Sequence, residues 1–365
     1  MSYVATRGGE HAIEQAERLF RDDLGTVCKD RVAAVRNGLP YLVDRIMGEA
    51  SLYEPDLAAL ALAQAGGDLY EAVLLLRAYR TTQPRLAIAE PVAQPDLYTV
   101  RRISAAFKDI PGGQILGPTL DYSHRLLQVD VLDGEDYIPE PVNPAQEPAP
   151  ATQPSLAAWQ KAQGLIQDYP VEATVPDDIP DLTREPLLFP ASRAHKLQSL
   201  ARADTGGALA LGYSTMRGYG SIHPTVNELR LAEAPVRLRH PRGTIFNAGR
   251  VRVSQAEVVS KSAEGLQLGF AATFGWNEVK VIAAAMLDLA SGQPSPHAAS
   301  TEEFVLYHTE PVESSGFCIH FKLPHYVTFQ SSLDAIRRVN ADRATAAPSN
   351  DGKENVTSKQ EEVAL

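Results

Sequence analysis

Apolar residues recur at helical spacing through Leu42, Val43, Ile46 and Met47, and steps of three and four place them on one helix face. Pro55 opens a second helix that runs through Ala65 and is closed by Gly66-Gly67, because proline suits the first helical turn and glycine the position past the last. Asp68, with Glu71 three residues on, predicts an N-cap of capping-box type before a third helix from Leu69 to Arg80. Pro40 to Arg80 therefore reads as a helical hairpin with an apolar inner face. Arg77 and Arg80 at its end read as favourable contacts with the helix C-terminal dipole. Upstream, Tyr3 to Thr6 reads as a short strand, and Gly8-Gly9 leads into a helix from Glu10 to Phe20. The glycine pair is either a plain turn or a cradle of N–H groups for an anion.

Further along, the period changes to two. Ile103, Ala105 and Phe107 alternate like a strand until Pro111-Gly112-Gly113 breaks it. Leu229/Leu231, Val251/Val253 and Leu266/Leu268/Phe270 predict an antiparallel sheet between Val226 and Phe274. Around it, Ser192-Arg193 starts a helix to Ala203, Asp204 to Gly207 reads as a turn, and Asn277 caps an apolar helix that Gly292 ends. Glu302 to His308 and Ser331 to Arg343 complete the helices. Asp133 to Ser155 is proline-rich with several acids and reads as an extended linker. A short helix, Leu156 to Gln167, follows it, and then a second acidic, proline-rich stretch. The expected organisation is an N-terminal helical domain with a glycine loop (1–132), a linker (133–186), an α+β domain (187–343) and a disordered tail (344–365). The fold class is α+β, with helices gathered first, strands in the centre and helices at the end.

Composition narrows the partners. With 44% hydrophobic residues in 365, the chain has ample material for a core. Cys28 and Cys318 are the two cysteines, far apart and in no CxxC pattern, which points to a reducing compartment. The N-terminus lacks the apolar core of a signal peptide and no run approaches a membrane span, so a cytoplasmic, soluble protein is expected. A net charge of -11 argues against nucleic acid or an anionic membrane as partner. Small polyanions remain possible, since one charge pair at ~6 Å is worth about 3 kcal/mol at an effective dielectric near 20.

Three stretches carry chemistry. The first, F-C-I-H-F-K-L-P-H-Y-V-T-F (Phe317 to Phe329), sets His320 and His325 five apart with Pro324 before the second. That spacing parts the rings by roughly 140° on a helix and puts them on opposite faces of a strand. A strand breaking at Leu323-Pro324 would let both aim at one metal ion; two separately satisfied histidines flanking a turn is the alternative. The second stretch, Arg101 to Leu127, contains Gly112-x-x-x-x-Gly117-Pro118-Thr119. Pro118 stands where a P-loop requires lysine, which excludes that motif. What survives is a loop with Gly112 and Gly113 flanked by Arg101, Arg102, Lys108 and Arg125, with Asp109, Asp121 and His124 close by. It suits a phosphorylated sugar, or else is a glycine-rich hairpin with charged flanks. The third stretch, Gly212 to Met216, fails the nucleophile elbow at its last position, so no serine hydrolase is expected. Arg217, Tyr219 and His223 beyond it form either a ligand clamp or a surface loop.

Blocks of these stretches resemble the subunit I (PhnI) family of the carbon-phosphorus lyase core complex of bacterial phosphonate metabolism. They are Y-V-A with G-G-E, L-L-R-A-Y-R-T-T, R-R-I-S-A, K-D-I-P-G-G-Q-I-L-G-P-T, D-Y-S-H-R-L-L, Y-S-T-M-R-G-Y-G with His223-Pro224, and H-F-K-L-P-H-Y-V-T-F-Q, in order across residues 3 to 335. The resemblance implies a transferase that, with its partners, replaces the adenine of ATP by methylphosphonate to give α-D-ribose 1-methylphosphonate 5-triphosphate, and that alone is a nucleoside-triphosphate nucleosidase. It also implies zinc on His320 and His325, Mg2+ with the nucleotide, and partnership with core subunits G, H and J and nucleotide-binding K and L, in two copies per complex; two histidines being too few for a closed zinc site, an open site at a subunit interface is expected.

Residue chemistry then suggests roles. Arg101, Arg102, Lys108, Arg125 and Arg217 would take phosphate and phosphonate oxygens, with Gly112, Gly113 and Tyr219 shaping the pocket. Asp109 or Asp121 would hold ribose hydroxyls and face the oxocarbenium carbon, and His124 or His223 would be the general acid. The rival class is a scaffold that docks the radical lyase subunit and lends zinc ligands to a shared site. A third, a metal phosphohydrolase, predicts phosphate as product.

Overall fold

The computed structural model describes residues 9–139, 153–166, 179–217, 223–263, 265–292 and 297–346. The strand expected at Tyr3 to Thr6, residues 140–152 and 167–178 of the linker, Tyr219 and the tail from residue 347 lie outside them. Residues 10–316 form one compact unit, and residues from Phe317 onward, with Gly9, belong to a second.

Five helices open the larger unit: α1 (Glu10–Leu24), α2 (Lys29–Gly38), α3 (Pro40–Ala50), α4 (Pro55–Gln64) and α5 (Leu69–Thr81). The predicted apolar stripe is the seam between them, with Val43, Ile46, Met47, Leu62, Val73 and Leu76 buried together; each such side chain contributes about 1.5–3 kcal/mol. Asp68 accepts from Tyr70 N and Glu71 N at 2.9 and 3.1 Å, the cap its sequence position promised. Arg77 and Arg80 reach past their own helix: Arg77 donates to Glu49 O, and Arg80 to Ser51 O, at the end of α3. The cation-to-carbonyl logic holds, but on a neighbouring helix.

Then comes β1 (Tyr98–Ile103), followed within the linker by α6 (Leu156–Ala162) and beyond it by α7 (Arg193–Arg202), α8 (Thr205–Met216), β2 (Thr225–Arg239), β3 (Ile245–Ser262), β4 (Gly265–Phe274), α9 (Glu278–Ser291) and α10 (Glu302–His308). The strands form an antiparallel sheet in the order β1-β2-β3-β4. β1, from before the predicted linker, pairs with β2 from after it, Arg102 opposite Arg230. One sheet face, through Leu229, Ala256, Val258 and Ala271, packs on α9 with Leu200 of α7 and Ala208 of α8. A Cβ on Gly269 would overlap Ala285 O, so only glycine lets α9 lie this close to the sheet. The opposite face is covered by α6 and Ile166, which bury Val259 and Leu268.

The architecture is therefore α+β, as the order of periodicities predicted. Four local expectations change. The strand expected through Phe107 ends at Ile103, where the chain turns back so that Ile115 pairs with Arg102 along the free edge of β1. Asp204 to Gly207 is not a free turn but the start of α8: Asp204 caps it through Gly207 N, and the small residues admit close packing of Gly212 on Ala283. Asn277 stands at the N-cap of α9, but its side chain makes no cap bond; its amide donates to Phe274 O and Asp44 O instead. The segment from Phe317, expected as a broken strand, is helical at both ends. α11 (Pro311–His320) precedes the turn and α12 (Tyr326–Ala346) follows it.

Candidate functional site

In the larger unit the glycine loop is built on β1. Arg101 and Arg102 are adjacent on a strand, so their side chains leave opposite sheet faces. Each reaches round to the loop from its own side. Arg101 donates to Leu116 O and to Asp121 Oδ2, both at 2.5 Å, and its Nε lies 2.6 Å from Glu278 Oε1 on α9. Burial above all raises the Glu278 carboxyl pKa; Arg101 opposes the rise and Asp121 adds to it. Gly117, at φ +61, passes so close that a Cβ would lie 2.5 Å from Val100 O. Arg102 donates to Pro111 O at 2.7 Å, Gly113 O at 3.0 Å, Gln153 Oε1 at 3.0 Å, Pro154 O at 2.9 Å and Glu228 Oε2 at 3.1 Å.

Both guanidiniums are 0% exposed. In this fold they bind the chain's own carbonyls and carboxylates rather than facing solvent, and they fix the loop that the glycines shape. Arg125, in the left-handed region at φ 51, lies 3.5 Å from Asp121 Oδ1. Arg101, Arg102, Gly112, Gly113, Asp121 and Arg125 are thus brought together. Lys108, Asp109 and His124 sit exposed on the same loop, and no side-chain bond joins them to that group among the described residues. Arg217 and His223 are exposed on either side of residues 218–222, which include Tyr219 and lie outside the described set.

Behind the loop lies a polar network that sequence reading missed. Arg230 donates to Glu228 Oε1 at 2.8 and 2.5 Å. Asn227 donates to Glu257 Oε2 at 3.0 Å and exchanges hydrogen bonds with Gln160 of α6. Burial, then the nearby Glu228 charge, pushes the Glu257 carboxyl up to about 7. The available signal was the run Glu228-Leu229-Arg230-Leu231, whose polar set reads as a solvent face until α6 and the loop cover it.

In the smaller unit, α11 ends at His320 and three successive backbone bonds tighten the turn: Phe321 N to Cys318 O, Lys322 N to Ile319 O, and Leu323 N to His320 O. Pro324 follows, and His325 stands immediately before α12. The helix ends do what a straight element could not, and the two imidazoles meet Nε2 to Nε2 at 3.0 Å. His325 Nδ1 lies 2.6 Å from Leu323 O and so carries the ring proton, which leaves its Nε2 as a lone-pair donor. Two nitrogens bound to one zinc at 2.0–2.1 Å with a tetrahedral angle lie about 3.3 Å apart. The donor set and its spacing fit a shared divalent ion. Among the described residues no group of three or more His, Cys, Asp or Glu could hold a metal, and Cys318 is free and exposed. Phe317 and Phe321 stack edge to face at 5.1 Å beside the pair; Phe317, Phe321, Tyr326 and Phe329 are all more than half exposed.

An α+β chain with a clamped glycine loop and a two-histidine metal-type pair is the class these features define. Residues 2–343 match the family described as bacterial phosphonate metabolism protein (PhnI), and the chain belongs to that family. It is 41% identical to the alpha-D-ribose 1-methylphosphonate 5-triphosphate synthase subunit PhnI of Rhizobium meliloti (strain 1021), over 94% of this chain and 96% of that protein. It is likewise 41% identical to the Escherichia coli (strain K12) protein of the same name, over 93% of this chain and 99% of that one.

Proposed function

We propose that this chain is the transferase subunit of a carbon-phosphorus lyase complex, replacing the adenine of ATP by methylphosphonate with formation of α-D-ribose 1-methylphosphonate 5-triphosphate. Family membership supports the reaction class. The observation that carries the reading to this chain is the convergence of His320 and His325 at 3.0 Å, with His325 held in the metal-binding tautomer. Replacing a β-linked base by a phosphonate in the α configuration requires attack from the opposite face, through positive charge at the anomeric carbon. Asp109, exposed on the glycine loop, and Asp121, which Arg101 and Arg125 hold in place, are the carboxylates proposed to hold ribose hydroxyls and face that charge. His124 or His223 protonates the departing base. With Arg101 and Arg102 buried as loop clamps, the exposed Lys108, Arg125 and Arg217 take the phosphate oxygens. His320 and His325 would hold the zinc, which when bound supplies a Lewis acid for an oxyanion, and Mg2+ would accompany the nucleotide. Subunits G, H, J, K and L as partners, two copies per complex and a cytoplasmic location complete the proposal; among the described residues no helix is long and apolar enough to cross a membrane.

One observation favours the rival scaffold reading. A structural zinc site normally has four protein ligands, and this pair sits among exposed aromatic side chains that another subunit could cover. Product analysis decides between them. The purified full-length chain, incubated with ATP or GTP, is expected to release adenine or guanine. Phosphate without base would identify a phosphohydrolase, and no release, with zinc taken up only after assembly with the other subunits, would establish the scaffold.

A further inference from the structure

Outside the glycine loop, the larger unit contains a cavity of about 310 Å3 between the ends of α5, α7 and α10. Arg77, Arg202 and Ser199, with the carboxylates of Glu185, Glu310 and Glu313, form its polar wall, and Leu187, Leu306 and Tyr307 part of its apolar one. The two arginines are used very differently. Arg77 is held by Glu49 O at 3.0 and 2.7 Å, by Arg202 O at 3.4 Å, and by an ion pair to Glu310. Arg202 has no such company: its Nη1 is buried without a hydrogen-bond partner, and among the described residues no ion pair reaches it. Burial above all, with the like charges of Arg77 and Arg80, pushes its guanidinium down to about 10, while the nearby charges of Glu310 and Asp181 oppose the fall. Beside two other guanidiniums, and with carboxylates near it that make no ion pair to it, Arg202 keeps a buried Nη1 donor without an acceptor, which an anion entering the cavity could supply.

We infer that this cavity is an oxyanion subsite, in which the Arg202 guanidinium binds the phosphate or phosphonate head of a small ligand. The rest of the wall limits what fits. Glu310 is neutralised by Arg77, but Glu185 and Glu313 also line the cavity, so a long polyphosphate would be repelled while one tetrahedral head on Arg202 is tolerated. The volume is at the small end of ligand pockets, which run from about 300 to 1,000 Å3. The apolar wall gives room for an alkyl group on phosphorus. Inorganic phosphate and an alkylphosphonate share this chemistry; assigning the phosphonate rests on the proposed function, whereas the oxyanion site itself does not.

Calorimetric titration of the full-length chain with inorganic phosphate and, separately, with methylphosphonate tests the inference, alongside the Arg202→Gln variant. The wild type is expected to bind at least one of the two, and Arg202→Gln to weaken that binding about tenfold or more. In oxyanion-free buffer the variant should melt at or above the wild-type temperature, because a cation with a buried, unpartnered Nη1 has been removed. The saturating oxyanion should then raise the melting temperature of the wild type alone. Preference for methylphosphonate makes the cavity a substrate subsite, and preference for phosphate makes it a site for the free anion. Binding of neither by the wild type, equal binding by the variant, or a variant that melts lower in oxyanion-free buffer overturns the inference. Adenine release is a separate readout: a chain that binds the oxyanion but releases no base counts against the proposed reaction alone, and one that releases base without binding either anion counts against the subsite alone.

Discussion

Glu257 should make the stability of this protein depend on pH in an unusual direction. Its carboxyl titrates at about 7 in the folded chain against 4.5 ordinarily. Because the folded value is raised, the folded state keeps a proton that the unfolded chain has already lost between those two values. Its contribution is therefore fully present below pH 4.5 and is lost as pH rises through about 7. The gap of about 2.5 pH units (7 minus 4.5) corresponds to at most about 3 kcal/mol at 1.36 kcal/mol each. The cause is structural: Glu257 is 7% exposed, accepts from Asn227, and shares the sheet face with the Glu228 carboxylate that Arg102 and Arg230 already occupy. Glu257→Gln keeps the shape and removes the titration. Urea unfolding of both proteins, followed by the fluorescence of Trp159 on adjacent α6 and of Trp276, should give a wild-type-minus-variant difference that grows against the wild type from pH 5 to 7.5, by up to about 3 kcal/mol. Curves that stay parallel across this range would refute the reasoning, since every other titrating group is common to both.

Two further outcomes are expected. Replacing His320 or His325 by alanine should abolish zinc retention, measured by metal analysis of the protein purified in complex, while shifting the urea midpoint by no more than about 0.5 kcal/mol equivalent, because both rings lie outside the core; retained zinc would place the ion elsewhere. Arg102→Met should cost about 3–5 kcal/mol by leaving Glu228 underpaired and freeing the carbonyls of Pro111 and Gly113. Adding Glu228→Gln should restore part of that loss in a double-mutant cycle, and strict additivity would show that the two do not act as a pair.

Where one rule decides local structure, the sequence was a good guide. The Pro55, Gly66 and Asp68 punctuation of the helical hairpin and the paired alternations of β2, β3 and β4 are each set by one period and one cap. α2 and α11 were missed because few of their residues reach the core, so their apolar positions make no clear stripe. The histidine pair was legible as a bend but not as a helix-turn-helix. Phe317 and Phe321 are i and i+4 partners, yet the Phe-Cys-Ile-His-Phe run also alternates bulky groups in the manner of a strand. Burial of Glu228, Arg230 and Glu257 could not be read locally, since the residues that cover them come from 94 to 160 in the chain.

The arginines carry this lesson furthest. A cation's chemical use depends on whether acceptors already surround it, and that is a property of the fold. Arg101-Arg102 looked like an anion site because two adjacent guanidiniums flank a glycine loop, but alternation along β1 sends them to opposite faces, where carbonyls and carboxylates consume most of their donors. Arg202 stood out in no motif. It ends α7, where a cation ordinarily serves the helix carbonyls, yet it is Arg77 that donates to Arg202 O, and Arg202 lines the cavity with its Nη1 buried and without an acceptor. A buried donor left without an acceptor on a cavity wall is what the inferred oxyanion would complete, and the melting comparison with Arg202→Gln asks whether stability alone accounts for the arginine.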